Sequence, residues 1–239
     1  ASGLIGLSRS IGLKPDRTYT LRLTAFSAPV AQTLWAALHA DSSPVSVGAE
    51  IRLADATFRI EAVQPPGQPA APSADHPHPW SAVTNYEDLS APWLLGRLVP
   101  PRHVTLHFAS PTAFKSAGRH VPVPLPAWVF GSLLDKWNAF APVAFPPELR
   151  RYAEECLALS MYQLRTHSVP VKEGGLRVGA VGTARYVATN ADRYWLSLIN
   201  VLADFALFAG AGAGTTMGLG QCRKVVDSRE RSGDRAAAV

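Results

Sequence analysis

Five glycines stand between positions 210 and 220, in Ala209-Gly-Ala-Gly-Ala-Gly-Thr-Thr-Met-Gly-Leu-Gly220, and a loop of that composition is lined by backbone. Without a Cβ, Gly210, Gly212, Gly214, Gly218 and Gly220 admit positive φ and let N–H groups converge on an anion, so phosphate is the first ligand to consider. A dinucleotide fingerprint needs a strand before the glycines and a helix after them; here a helix runs in and a strand leaves. A Walker loop fails too, because no Gly-Lys-Ser/Thr closes the run. The remaining alternative is a plain glycine turn.

Imidazoles are the other groups with chemistry to offer. His76 and His78 form a His-x-His pair, but no third and fourth ligand follow at metal spacing, so we assign no metal site. Cys156 and Cys222 are the only cysteines and lack CxxC spacing, as expected of reduced thiols in a cytoplasmic protein. Acidic residues such as Asp41, Glu154 and Glu155 are scattered, which disfavours a metal-dependent nuclease.

The elements that must position these residues follow from periodicity. Ahead of the glycine run, Trp195, Leu198, Ile199, Leu202, Phe205 and Ala206 fall on one face of a helix over 190–208, with Asn190 as N-cap and Gly210 as C-cap. Residues 221–226 read as the strand that leaves the loop. Upstream, 102–110 alternates Val104, Leu106 and Phe108 against His103 and His107, which describes a half-buried strand. Residues 111–124 read as a projecting hairpin around Gly118, 126–140 as a helix burying Val129, Phe130, Leu133, Leu134 and Trp137, and 156–169 with 176–188 as two strands.

The first part of the chain is similar but shorter. Residues 17–26 alternate as a strand, 29–40 form a helix, and 49–53 with 57–63 form two further strands. Residues 64–75 are a proline-rich spacer and 227–239 a polar tail. Residues 1–8 read as though the chain starts inside a strand. The expected fold class is therefore α+β, two tandem ferredoxin-like (RRM-like) domains over 1–95 and 96–239. The first is incomplete at its N-terminus, a preceding strand and helix being expected upstream of Ala1.

With 239 residues, 47% of them hydrophobic, the chain can build real cores, and a formal net charge of +5 with pI near 9.5 suits a polyanionic partner. No signal peptide or membrane-length apolar run is visible, so a cytoplasmic protein with no membrane partner is expected.

Tandem ferredoxin-like units of which the second ends in a glycine-rich loop resemble the CRISPR-associated, repeat-cleaving endoribonucleases of the RAMP superfamily. The resemblance rests on residues 78–86, on 106–114 with the downstream 118–124, and above all on 208–220 at this topological position. It implies binding of CRISPR repeat RNA, as a stem-loop or single strand, without metal or cofactor. The glycine loop with the Thr215 and Thr216 hydroxyls would meet phosphates, Arg223 and Lys224 would add charge, and Lys115, Arg119 and His120 would approach the base of a stem.

The family reaction is attack of a ribose 2′-hydroxyl on its own 3′-phosphate, giving a 2′,3′-cyclic phosphate and a free 5′-hydroxyl. Histidine suits its acid and base roles. The resemblance puts the catalytic histidine upstream of the residues given, which leaves the base unassigned. His39, near a helix C-terminus, and His120, on the hairpin, are the substitutes, with His167 a third. A second reading is a non-cleaving RNA-binding module of a larger CRISPR complex, partnered by other CRISPR-associated proteins or fused to a reverse transcriptase and integrase.

Overall fold

The computed structural model describes residues 13–15, 17–53, 56–64, 80, 82–96, 99–170 and 175–225. Two compact units divide between Asn85 and Tyr86. The helix Tyr86–Leu94 goes with the larger unit. The expected N-terminal strand at 1–8, most of the proline-rich spacer, the His76 and His78 pair and the polar tail lie outside the described residues.

The smaller unit contains helix α1 (Ala28–His39) and an antiparallel hairpin of β1 (Glu50–Leu53) and β2 (Ala56–Arg59), in which Ile51 pairs with Phe58. The alternating stretch 17–26 is not a strand, which corrects the sequence reading: no neighbour supplies a ladder of hydrogen bonds to it among the described residues. It is held by side chains instead. Tyr19 packs edge-on against Phe58 and the Thr18 hydroxyl donates to Glu61 at 3.0 Å.

In the larger unit, α2 (Tyr86–Leu94) is followed by β3 (His103–Thr112), the short hairpin strands β4 (Phe114–Ser116) and β5 (Arg119–Val121), and α3 (Pro126–Phe140). Then come α4 (Glu148–Cys156), β6 (Leu157–Pro170), β7 (Leu176–Ala188), α5 (Arg193–Ala209) and β8 (Cys222–Val225). Sheet order β6-β7-β3-β8 is that of a ferredoxin-like unit, with first and third strands central and all pairs antiparallel. Helices α2 and α4 were not foreseen.

The core follows the periodicities. Val104, Leu106 and Phe108 on one face of β3 meet Val129, Phe130, Leu133 and Leu134 of α3 and Leu198, Ile199, Leu202 and Phe205 of α5, all buried. Each such fully buried side chain contributes roughly 1.5–3 kcal/mol. Around Trp137, Phe145 stacks at 4.6 Å while Phe205 and Tyr86 pack edge-on at 5.3 Å, so α2, α3 and α5 share one aromatic cluster. The N-cap of α5 is Asp192 rather than Asn190. Its carboxylate accepts from the amides of Tyr194 (2.9 Å) and Trp195 (3.3 Å), and Asn190 in turn accepts from the Asp192 amide. Gly210, at φ 62°, is the C-cap, as expected. The α+β class with antiparallel sheets is observed.

Candidate nucleic-acid interface

The glycine-rich loop runs from the end of α5 to β8 and is tied to the root of the β4–β5 hairpin. Ala213 N–H donates to Ala113 C=O at 2.9 Å, Gly220 N–H to Pro111 C=O at 3.1 Å, and the Gln221 amide to Ser110 Oγ at 2.8 Å. From the other side α3 supplies Ser132, whose Oγ accepts from Gly212 N–H at 2.9 Å, and Lys136, whose Nζ donates to Gly210 C=O at 2.9 Å. Ser132 and Lys136 are spaced i, i+4, so one face of the helix presents both to the loop.

Much of the loop's backbone is thereby used internally. Ala211, Gly212, Ala213, Met217, Gly218, Leu219 and Gly220 all donate within the protein, leaving the amides of Gly214, Thr215 and Thr216 without a partner among the described residues. Gly212 is required by close approach: at φ 80° a Cβ would lie 2.5 Å from the Ala113 carbonyl oxygen. The outer part of the loop is Thr215–Met217, a single turn of 3-10 helix, with Thr216 and Met217 exposed.

The hairpin holds its cations outward. Phe114 is buried and stacks near Trp128 at 6.3 Å, while Lys115, Arg119 and His120 are exposed, Lys115 opposite His120 and Ser116 opposite Arg119. Ala117 and Gly118, both at positive φ, form its two-residue turn. Burial, followed by the charges of Arg177 and Lys115, lowers the His120 pKa below the ordinary histidine value. The imidazole is therefore mainly neutral at neutral pH and able to accept a proton.

The structure thus brings the hairpin and the glycine loop together, and it separates the other expected contacts. Arg223 pairs in register with His107 on the sheet face opposite the helices and is 9% exposed; desolvation lowers its pKa. Lys224 points to the helical layer, where Nζ lies 3.3 Å from Asp204 Oδ1, donates to Asn200 Oδ1 at 3.0 Å and sits 4.3 Å from the centre of the Trp93 ring. His39 belongs to the smaller unit; its Nδ1 is 2.9 Å from the Trp35 carbonyl, and its ring lies 4.1 Å from that of Trp35. His167 is exposed on β6 opposite Gly179.

Sequence reading missed Lys136, Ser132 and Arg177. The first two had a legible signal, an i, i+4 polar pair on a helix whose other inward positions are apolar. Arg177 had none, because a single arginine in an alternating strand is commonplace.

A ferredoxin-like unit whose last helix delivers a glycine-rich loop to the root of a cationic hairpin defines the chain as an α+β protein. Comparisons narrow that class. Residues 106–222 match the sequence model of the CRISPR-associated endoribonuclease Cas6 family. Over 123 residues the chain is 33% identical to the CRISPR-associated endoribonuclease Cas6 of Mycobacterium tuberculosis, a stretch covering 51% of this chain and 38% of that relative. A solved Cas6 substrate mimic complex is 31% identical with TM-score 0.63, covering 83% of this chain and 74% of that one. Its product complex gives the same values. Thermus thermophilus Cas6 is 29% identical with TM-score 0.55, over 62% of this chain and 61% of its own. The chain belongs to the Cas6 family, whose fold is that of tandem ferredoxin-like domains. It matches well under half the length of the curated relative.

Proposed function

We propose that this chain binds CRISPR repeat RNA and serves its endonucleolytic processing to guide RNA in the cytoplasm. The observation that carries the reading is the tie between the glycine-rich loop and the root of the hairpin through Ala213 and Ala113, with Lys115 and Arg119 exposed on that hairpin. Neither cation has a carboxylate partner among the described residues. A relative of 31% identity has been solved as a substrate mimic complex and as a product complex, which supports an RNA ligand at the corresponding fold.

The chemistry of this reading needs no water and no metal in the cleavage step. A ribose 2′-oxygen forms a bond to the adjacent phosphorus, the bond to the 5′-oxygen breaks, a base takes the 2′-proton and an acid protonates the leaving oxygen. Lys115, Arg119, the Thr215 and Thr216 hydroxyls and the free amides beside them hold phosphates; Arg223 contributes charge from the sheet face, and Lys224 braces β8 from behind. His120 is the candidate base among the described residues.

A non-cleaving RNA-binding module is the second reading. It is favoured by the commitment of the His39 ring to Trp35 and by the purely cationic neighbours that perturb His120. Incubation of this chain, and of a form extended upstream, with labelled stem-loop RNA in EDTA separates the two. Cyclic-phosphate ends from the extended form alone place the base upstream. Cleavage by both forms, lost in His120→Ala, places it on the hairpin, and binding without cleavage by either form establishes the module.

A further inference from the structure

We propose that Arg177 is the phosphate-binding residue that joins the hairpin to the glycine-rich loop, its guanidinium taking a backbone phosphate of RNA laid across both. The inference rests on the RNA-binding reading of this surface and names a contact within it that neither the loop composition nor the hairpin charges reveal.

Arg177 lies one residue inside β7, opposite Val169 of β6, at the far end of the long β6–β7 hairpin. Its Nη1 is buried and has no hydrogen-bond partner among the described residues. That atom sits against Gly214: a Cβ on Gly214 would be 2.7 Å from it, so the glycine leaves the space the guanidinium occupies. Toward the hairpin, the same charge is one of those that lower the pKa of His120. A single side chain therefore borders both expected RNA-binding segments.

The chemistry of the vacancy selects the ligand. A buried N–H with no acceptor is costly and is kept where a ligand supplies the acceptor. Guanidinium offers a planar fork that matches two phosphate oxygens, and its own apolar stem packs without charge. On the hairpin, Lys115 and Arg119 add positive charge, and no described carboxylate pairs with Arg177, Lys115 or Arg119. An anion is the ligand such a group lacks, and a phosphate of the RNA is the one this surface would receive.

The test measures Kd for a fluorescein-labelled RNA stem-loop with single-stranded flanks, across a range of salt, for the wild-type chain, Arg177→Met and Arg177→Lys. Met retains the stem. The expected result is that Arg177→Met weakens binding about tenfold and lowers the slope of log K against log salt by roughly 0.7–0.9, one phosphate's worth of counterion release. Its melting temperature stays the same or rises, because an unpaired buried donor has gone. Arg177→Lys keeps the slope but recovers only part of the affinity, since a point charge cannot fork. An unchanged slope in Arg177→Met overturns the inference, with or without a fall in melting temperature, while leaving the RNA-binding reading intact provided the wild type binds. If the wild type itself fails to bind the stem-loop, both fall together.

Discussion

Lys136 Nζ donates to the carbonyl oxygen of Gly210 at 2.9 Å and lies 3.5 Å from that of Gly212, so an ammonium on α3 clamps the glycine-rich loop at its exit from α5. Burial pushes its pKa down to about 8, against weaker opposing effects of Cys222 and Asp135. Replacing it with Met removes a charge-assisted donor worth about 1.5–3 kcal/mol but also relieves the desolvation of an ammonium, so the net loss of stability is nearer ~1 kcal/mol.

The pH dependence of that clamp has a definite sign. Between about 8 and the ordinary lysine value of 10.5, the unfolded chain holds a proton at Lys136 that the folded chain has released. Stability therefore rises with pH across that window. Denaturant unfolding of wild type and Lys136→Met at pH 7.5 and pH 10 should show the wild type gaining relative to the variant; parallel curves would mean that burial does not depress the Lys136 pKa.

Two loop glycines should respond to very different degrees. Gly212→Val forces a Cβ onto the Ala113 carbonyl and is expected to cost more than ~3 kcal/mol, because positive φ and a backbone clash combine. Gly218, also at positive φ, faces open space, so Gly218→Ala should cost only about 1–2 kcal/mol. Chemical denaturation checks both. RNA affinity measured on Gly218→Ala then reports on the loop with the fold intact.

Asp204 accepts from Trp93 Nε1 at 2.6 Å and pairs with Lys224, joining α2, α5 and β8. Burial raises its pKa above the ordinary aspartate value, with Lys224 and the Trp93 hydrogen bond opposing. A raised carboxyl pKa means that the folded state keeps its proton to higher pH, so this group's contribution falls as pH rises through the window above the usual value. Lys224→Met leaves the anion without its cation and should destabilise by about 2–4 kcal/mol at pH 7, less than a fully buried pair because both side chains retain some exposure. Thermal melts of the variant should show the deficit shrinking toward acid pH.

At the hairpin, Lys115→Gln removes one of the charges that hold the His120 pKa down. An NMR titration of the imidazole should show a higher pKa in the variant, with the melting temperature unchanged because both side chains are exposed. An unshifted titration would mean that the Lys115 charge is too screened to matter.

Much of the larger unit was legible before any coordinates. The burial of Val104, Leu106 and Phe108, the inward face of α3 and the Gly210 cap all follow from local periodicity, which a short window of sequence carries. The smaller unit was less so: residues 17–26 alternate like a strand, yet a strand exists only where a neighbour completes its hydrogen bonds. Helix α4, with Leu149, Tyr152 and Ala153 as its buried residues, is short enough that its period was lost between Pro147 and the strand beyond.

By itself, the sequence determined the kind of site: a glycine-rich loop after an amphipathic helix, a cationic hairpin and the family to which that arrangement points. Only tertiary structure decided which groups meet there. It turned Lys224 inward to Asp204, used the amides of Gly212, Ala213 and Gly220 to fasten the loop to α3 and to the end of β3, and set Arg177 beside Gly214. Composition and spacing record what each residue can do. Which partner it finds depends on contacts between positions far apart in the chain, and those are fixed only when the sheet and helices pack.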